Sequence, residues 1–130
     1  MNLSASKRVE KDRDIDLQTL SERKKAKPNP EKYANLVNMA SIAFIVRSDG
    51  LSALMLGDSF PDEVEAYLRE KGYSEDNKLV VDFVKVSHHG SRNNISNTLL
   101  DIIDCVNYII STNGGEKKSY HPARETLANI

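Results

Sequence analysis

The sequence predicts a single α/β domain, in which short apolar strands alternate with amphipathic helices. After residue 36, apolar and β-branched runs alternate with segments whose apolar residues recur at helical spacing, and this alternation is typical of α/β folds. The strands are apolar on both faces, as in a sheet that is covered on each side. With 130 residues, of which 39% are hydrophobic, the chain has the length of one domain and the composition for one core.

The elements can be assigned in chain order. The segments 41–47 and 51–57 are predicted to form a β-hairpin, because Asp49-Gly50 between them is a strong turn signal. Pro61 and the acidic residues after it suit the start of a helix. The remaining elements are predicted as follows: helix 62–71, strand 78–87, helix 97–104, strand 106–112 and helix 122–130.

Residues 1–35 differ in character from residues 36–130, which form the predicted domain. Residues 1–33 contain nine Lys/Arg and six Asp/Glu, whereas residues 34–130 contain nine and thirteen. The first segment is polar and carries two prolines, so we interpret it as a connecting segment with one short helix near 15–24. Its basic cluster is a solvated linker or, alternatively, a contact for nucleic acid.

Composition excludes several classes of protein. The single cysteine, Cys105, rules out an internal disulfide and fits a reducing compartment, so we expect a cytoplasmic location. No apolar run approaches the roughly 18–20 residues that span a bilayer, so no membrane segment is predicted. The N-terminus lacks the apolar core of a secretory signal.

Polar residues follow three of the predicted strands directly, and this is where α/β proteins tend to place ligand-binding groups. Asp58 ends the second strand, His88 and His89 end the third, and Ser111 ends the last, with His121 following it. If the strands are neighbours, Asp58 and His88 converge. Zinc accepts imidazole nitrogen and carboxylate oxygen, and manganese and iron accept the same pair, so the pattern predicts a divalent-metal site.

Each of these residues also has a simpler interpretation. His88-His89-Gly90-Ser91 taken alone is a polar turn that caps a helix, Asp58 alone is a helix cap, and His121 before Pro122 is a cap or a surface residue. Their combination in one order favours the metal site. Gly90 permits a sharp turn, and Ser91 or Asn94 is placed to orient a histidine.

The ordered motifs resemble a known family. Asn38-x-x-Ser41 before an apolar strand, then "LMLGD", "VDFVKVSHHGS", "YIIST" and "HP", are similar to the C-terminal half of metallo-β-lactamase-fold hydrolases. The resemblance covers residues 36–130. It is nearest to the branch of the competence protein ComEC and related stand-alone bacterial hydrolases. It implies half of an αββα sandwich, with a mixed sheet flanked by helices.

The resemblance also implies roles for individual residues. Asp58 matches the aspartate that bridges two metal ions, and His88 matches a histidine that ligates one of them. His89 and His121 match positions that contact metal or substrate. Three further residues are expected to contact and orient these side chains without binding metal themselves: Asn38, Ser41 and Ser91.

One departure from the family is large. The HxHxDH signature, which supplies most metal ligands there, is absent, because no histidine precedes position 88. We therefore expect a fragment whose metal site, for zinc or else manganese or iron, is incomplete. Its expected partners are the missing N-terminal half of the fold or a second copy of the chain in a homodimer.

Two functions are expected from these observations. The first is a fragment of a dinuclear metal-dependent hydrolase, inactive alone, whose parent acts on a phosphoester in nucleic acid or a nucleotide; a β-lactam, lactone or thioester substrate stays open. The second is a non-catalytic scaffold or interaction domain that kept Asp58 and His88 as structural caps. An HxHxDH motif encoded upstream would favour the first.

Overall fold

The computed structural model describes residues 15–22, 36–116 and 119–130. The predicted connecting segment therefore lies mostly outside the described residues, and so does its basic cluster with the predicted nucleic-acid contact. Within the segment, the short helix expected near 15–24 is present as Leu17–Glu22. This helix packs against the last helix of the chain rather than standing free.

The described elements alternate as an α/β chain. In order they are α1 (Leu17–Glu22), α2 (Leu36–Met39), β1 (Phe44–Ser48), β2 (Leu51–Met55), α3 (Pro61–Glu70), β3 (Leu79–Val80), β4 (Phe83–Lys85), a 3-10 turn (Ser87–Gly90), α4 (Asn97–Asp101), β5 (Ile103–Asp104), β6 (Tyr108–Ile109), β7 (Gly115–Glu116), β8 (Ser119–Tyr120) and α5 (Arg124–Asn129).

The main sheet is mixed and has the order β1-β2-β4-β6. β1 and β2 are antiparallel and form the predicted hairpin, with positive φ at Asp49 and Gly50 in its turn. β2 runs parallel to β4, and β4 runs parallel to β6. The three parallel strands therefore end at the same edge of the sheet, which is the edge that carries the predicted site.

The predicted strand 78–87 is wrong as one continuous element. It is divided into β3, which pairs with β5 in a separate two-stranded sheet, and β4, which belongs to the main sheet. At the break, the carboxylate of Asp82 accepts hydrogen bonds from the backbone N–H and the hydroxyl of Ser52, at 2.7 and 2.9 Å. The backbone changes its partner at this point: the N–H of Val81 donates to the carbonyl of Asp104 at 3.1 Å, and the N–H of Asp82 donates to the carbonyl of Ser52 at 3.0 Å.

The predicted helix 97–104 is also too long, and the predicted strand 106–112 is longer than β6. Ser96 caps α4 by accepting from the backbone N–H of Leu99, and the helix ends at Asp101. Ile103 then turns into β5, where its backbone pairs with Leu79. Tertiary pairing with β3 overrides the helical periodicity of this segment.

Helix α3 follows the local signals closely. Pro61 occupies its first turn together with Asp62 and Glu63, which suit the positive end of the helix dipole. Val64 and Leu68 are buried beneath it. After the helix the chain turns through Gly72 at a φ of 91°, a conformation that favours glycine.

The main sheet has one covered face and one open face. The covered face carries Leu54 and Val84, which are buried in the core, and Ile45 and Tyr108, which pack against them. Helices α3 and α4 supply core residues on this side, including Leu68 and Leu99. The side chains that alternate with these along the strands form the open face, and their register places Phe44, Val46, Leu51, Ala53, Met55, Phe83, Lys85 and Ile109 on it.

Several open-face residues are large, apolar and exposed. Phe44, Val46, Leu51 and Ile109 expose between 47 and 58% of their surface. Among the described residues, helices cover one face of the main sheet only, so the expectation of a sheet covered on each side is not met there. Among the described residues, no helix is both long and apolar enough to cross a membrane.

Candidate functional site

The candidate site lies at the carboxyl edge of the main sheet. Asp58 follows β2, His88 and His89 follow β4, and Ser111 follows β6. The backbone N–H of His88 donates to the carbonyl of Gly57 at 2.9 Å, so the segments that leave β2 and β4 stay paired past the end of the strands. The structure thereby places the Asp58 and His88 segments side by side.

The two histidines occupy an unusual backbone conformation. His88 has φ 45° and His89 has φ 56°, and Gly90 follows with φ 81°, so three successive residues lie in the left-handed region. For residues other than glycine, such conformations cost about 1–3 kcal/mol each and concentrate at functional sites. The two strained histidines therefore motivate a functional hypothesis for this turn.

Gly90 is required by packing as well as by conformation. A Cβ at this position would lie 2.7 Å from Cβ of Pro122, which is closer than side chains pack. The carbonyl of Gly90 accepts from the backbone N–H of Ala123 at 2.8 Å. This close approach brings the segment with His121 against the histidine turn.

The three histidine rings form one cluster. The ring centroid of His88 lies 6.1 Å from that of His89 and 5.6 Å from that of His121. The hydroxyl of Thr112 donates to the carbonyl of His121 at 2.9 Å, which ties His121 to the segment after β6. The structure therefore brings together all three histidines of the chain.

The side chains of two asparagines lie within hydrogen-bonding distance of the same ring nitrogen of His88. Its Nδ1 lies 3.1 Å from Oδ1 of Asn94 and 3.2 Å from Nδ2 of Asn38. Both asparagines are buried. Asn38, which is predicted to support the site, thus lies against His88, and Nε2 is left as the ring nitrogen of His88 that can meet a ligand.

His89 is oriented by a different partner. Its Nδ1 lies 2.7 Å from the carbonyl oxygen of Ser111, and because a carbonyl only accepts, Nδ1 carries the proton and donates. The lone pair of His89 is therefore on Nε2. Backbone carbonyls orient metal-binding histidines in this way in many proteins.

Asp58 is held through its backbone. Its N–H donates to the hydroxyl of Ser41 at 2.8 Å, and its carbonyl accepts from Nδ2 of Asn94 at 3.1 Å. Gly57 packs so tightly that an added Cβ would lie 2.5 Å from the same Ser41 hydroxyl. Ser41 thus supports the Asp58 segment, while the direction of the Asp58 carboxylate into a cleft shared with His88 stays a prediction.

Ser91 is expected to orient an imidazole. Its contacts are instead with the backbone of the turn. Its backbone N–H donates to the carbonyl of His88, and its hydroxyl accepts from the N–H of Asn93. Sequence reasoning missed two other serines. The hydroxyl of Ser87 donates to the carbonyl of Ser59 at 2.8 Å, so these residues join the two strand ends beneath the site.

His121 has the electrostatic character of a neutral ligand. Burial holds its pKa below the usual value of 6.5, and the neighbouring imidazoles of His88 and His89 act in the same direction. Its Nδ1 is buried and makes no hydrogen bond to any described residue. A buried nitrogen without a partner is costly, and a bound ligand is one way to satisfy it.

The histidine nitrogens that could bind a metal would supply part of a metal centre. His88 and His89 each engage Nδ1 with the protein, which leaves Nε2 for a ligand, and His121 has a free Nδ1. Across the described residues, however, no group of three or more His, Cys, Asp or Glu side chains is arranged to hold a metal ion. The residues could contribute to a site that other ligands complete.

A cavity of about 480 Å³ opens beside the site. Asn38, Ser41 and Ser59 form its border with the site, and the rest of its lining is mainly apolar side chains from β1, β2 and α3. A volume of this size is within the range of small-molecule pockets. The cavity and the histidine cluster thus share their supporting residues.

Comparisons with protein-family models, with curated proteins and with solved structures each find no match to this chain. What the structure defines is an α/β domain with a mixed sheet, flanking helices and a histidine-rich carboxyl edge.

Proposed function

We propose that the chain contributes Asp58 and His88 to the divalent-metal centre of a metallo-β-lactamase-fold hydrolase that acts on phosphoesters. The single observation that supports this most is the convergence of the Asp58 segment with all three histidines at one sheet edge. The ordered sequence motifs support it independently. The half-covered sheet supports it too, because a second sheet covers that face in an αββα sandwich.

Each residue has a distinct part in this proposal. Asp58 and His88 would hold the ions, His88 through Nε2, while His89 and His121 would contact metal or substrate. Asn38 and Ser41 hold these groups in place from behind. A bound zinc, manganese or iron ion would lower the pKa of a water ligand and polarise the phosphoryl oxygen.

The substrate class follows from the resemblance and not from the geometry. A nucleic acid or a nucleotide is the preferred phosphoester, and a β-lactam, lactone or thioester remains the alternative. The side chains that the site offers are imidazoles, amides and the Asp58 carboxylate, so a cation bound among them would favour an anionic ligand.

A scaffold function is the second candidate, and a specific observation favours it. Hydrogen bonds within the protein already join the polar residues of the site. Asn38 contacts His88, Ser41 contacts Asp58 and Ser59, and Asn94 contacts Ser59. The site therefore has structural partners without any metal. In this alternative Asp58 and His88 are kept because they end strands and shape the turn.

Calorimetric titration with zinc or manganese tests the metal site. We expect weak binding by the chain alone, because it offers only part of a ligand set, and no detectable binding after His88→Ala or Asp58→Asn. Asp76→Asn, which changes an exposed aspartate, is the matched control. Binding that survives both site substitutions contradicts the proposed ligands. A tight two-metal site in the chain alone contradicts its incompleteness.

Reconstitution tests the hydrolase. The chain is co-produced with a region encoded beside it that carries HxHxDH, and hydrolysis of bis(p-nitrophenyl) phosphate is measured with manganese or zinc. We expect activity that Asp58→Asn abolishes and Asp76→Asn preserves. If no such region is encoded, or if the reconstituted protein hydrolyses a lactone or β-lactam and not the phosphodiester, the phosphoesterase proposal fails.

A further inference from the structure

We infer that Asn94 is a positioning residue that holds His88 as the Nδ1–H tautomer and so keeps the lone pair on Nε2. Asn94 is 2% exposed and lies between the two segments that form the site. Its side chain is the link between the His88 ring and the Asp58-Ser59 backbone.

The orientation of the Asn94 amide is determined by its other contacts. Its Nδ2 donates to the carbonyl of Asp58 at 3.1 Å and to the carbonyl of Ser59 at 3.2 Å. Both partners are carbonyl oxygens, which only accept, so the amide nitrogen must face them. The amide oxygen is therefore the atom that faces His88.

That oxygen in turn determines the proton on His88. Oδ1 of Asn94 only accepts, and it lies 3.1 Å from Nδ1 of His88, so a favourable contact requires the proton on Nδ1. A lone pair on Nδ1 would face the lone pairs of a buried oxygen. A neutral imidazole has one N–H, so Nε2 is left as the unprotonated nitrogen.

Asn38 is the competing partner. Its Nδ2 lies 3.2 Å from the same Nδ1, and as a donor it would favour the opposite tautomer. The constraint from Asn94 is the stronger of the two, because an Nε2–H tautomer of His88 would require the Asn94 amide to turn its nitrogen to His88 and its oxygen to the carbonyls of Asp58 and Ser59.

The inference rests on the proposed function only for the identity of the ligand on Nε2. The tautomer itself is a property of the metal-free chain. It deepens the proposal by assigning to Asn94 the part that a carboxylate or carbonyl plays behind other metal-binding histidines.

Nitrogen-15 NMR of the imidazole rings measures the tautomer directly. Spectra of the metal-free chain are recorded near pH 8.5, about two units above the ordinary histidine pKa of about 6.5, where imidazoles are neutral. We expect His88 to carry its proton on Nδ1. His89 is an internal reference, because its bond to the Ser111 carbonyl predicts the same tautomer independently. An Nε2–H tautomer at His88 overturns the inference.

Two substitutions separate the asparagines. In Asn94→Ala, Asn38 becomes the remaining amide partner of Nδ1, and we expect the ratio of tautomers at His88 to shift toward Nε2–H by about tenfold, the usual weight of one hydrogen bond. In Asn38→Ala, His88 should keep its proton on Nδ1. His89 should be unchanged in both. No shift in folded Asn94→Ala, or loss of the Nδ1 proton in Asn38→Ala, overturns the inference.

A third variant covers the case in which Asn94→Ala does not fold. Asn94→Asp keeps an acceptor toward Nδ1 while losing the donors to the two carbonyls, so His88 should retain the Nδ1 proton. Its loss in this variant overturns the inference. Folding is followed by far-ultraviolet circular dichroism in each case.

Zinc titration in the same spectra separates this inference from the proposed function. Zinc that perturbs Nε2 of His88 and leaves Nδ1 protonated supports both. If His88 has the expected tautomer but zinc leaves its ring unchanged, the metal site fails and the role of Asn94 stands. If zinc binds His88 but the metal-free ring carries its proton on Nε2, the role of Asn94 fails and the metal site stands.

Discussion

The two faces of the main sheet are built from the same strands but differ in the burial of their side chains. On the covered face, Leu54 and Val84 are 2% and 0% exposed. On the open face, Phe44, Leu51 and Ile109 are 53, 58 and 48% exposed. Both sets are large and apolar, so hydrophobicity alone does not distinguish them. The difference lies in helices α3 and α4, which contribute core residues on one side, and an exposed apolar face of this kind is typical of an interaction surface.

The largest expected effect is on the free energy of unfolding, and it distinguishes residues on the two faces of one strand, β2. Leu54→Ala should lower the free energy of unfolding by about 2–5 kcal/mol, because it leaves a cavity in the core. Leu51→Ala, three residues away on the open face, should cost about 0.5 kcal/mol or less. Urea denaturation of both variants, at concentrations below those at which the chain associates, measures the contrast. Equal losses under these conditions would show that the open face is covered within the monomer.

The open face should also drive association. Contiguous apolar patches of this kind mark interaction sites, so we expect the isolated chain to form homodimers at micromolar concentration. Phe44→Lys should weaken the dimer by more than tenfold, or about 1.4 kcal/mol, because it buries a charge at the contact. Sedimentation equilibrium measures both quantities.

Val106→Lys is the matched control for that experiment, because Val106 is 87% exposed and precedes β6, outside the strand residues that form the open face. It should leave the dimer unchanged. A stable monomer at tens of micromolar, or a dimer that is insensitive to Phe44→Lys, would show that the open face does not self-associate.

The sequence predicted those parts of the fold that depend on local signals. The Asp49-Gly50 hairpin and the helix after Pro61 are present where turn and capping chemistry placed them. Residues 78–87 are largely apolar on both faces, and this pattern predicts one strand. Their division at Asp82 depends on hydrogen bonds to Ser52, thirty positions away in the chain, and no local pattern reports such a pairing.

The site was predictable to a similar degree. Strand-end placement indicated that Asp58 and His88 would have neighbouring segments, and the structure pairs those segments. The left-handed run at His88 and His89 was not predictable, because non-glycine residues adopt it only under tertiary constraint. The approach of His121 depends on the packing of Pro122 against Gly90, which is a long-range contact.

The junction between β3 and β4 at Asp82 should make the stability of the fold depend on pH. The backbone N–H and then the hydroxyl of Ser52 hold the pKa of Asp82 below its usual 3.8. A depressed carboxyl pKa stabilises the fold above the unfolded value, and this contribution is lost as the pH falls through 3.8 toward the folded pKa.

Asp82→Asn should therefore reduce stability at pH 7 and make the variant less sensitive to acid below pH 4. Thermal unfolding followed from pH 7 to pH 2.5 measures this, with Asp76→Asn as the exposed control. An unchanged acid profile would show that the Ser52 contacts do not persist in solution. The open face has no part in these contacts, so its substitutions should leave the acid profile unchanged.

The smallest expected effect is on the solvent side of α3, the helix that covers the sheet. Hydrogen bonds from Arg69 lower the pKa of Glu75 to about 2, so its contribution to stability is present above 4.5 and is lost between 4.5 and about 2. The pair is exposed, however, and water and salt screen it, so it should add little. Glu75→Gln should leave the melting temperature at pH 7 nearly unchanged at physiological salt, and remove a small acid-dependent decrease that is visible only at low salt. A large loss in Glu75→Gln would mean that surface charge, and not Val64 and Leu68 beneath the helix, attaches α3 to the covered face.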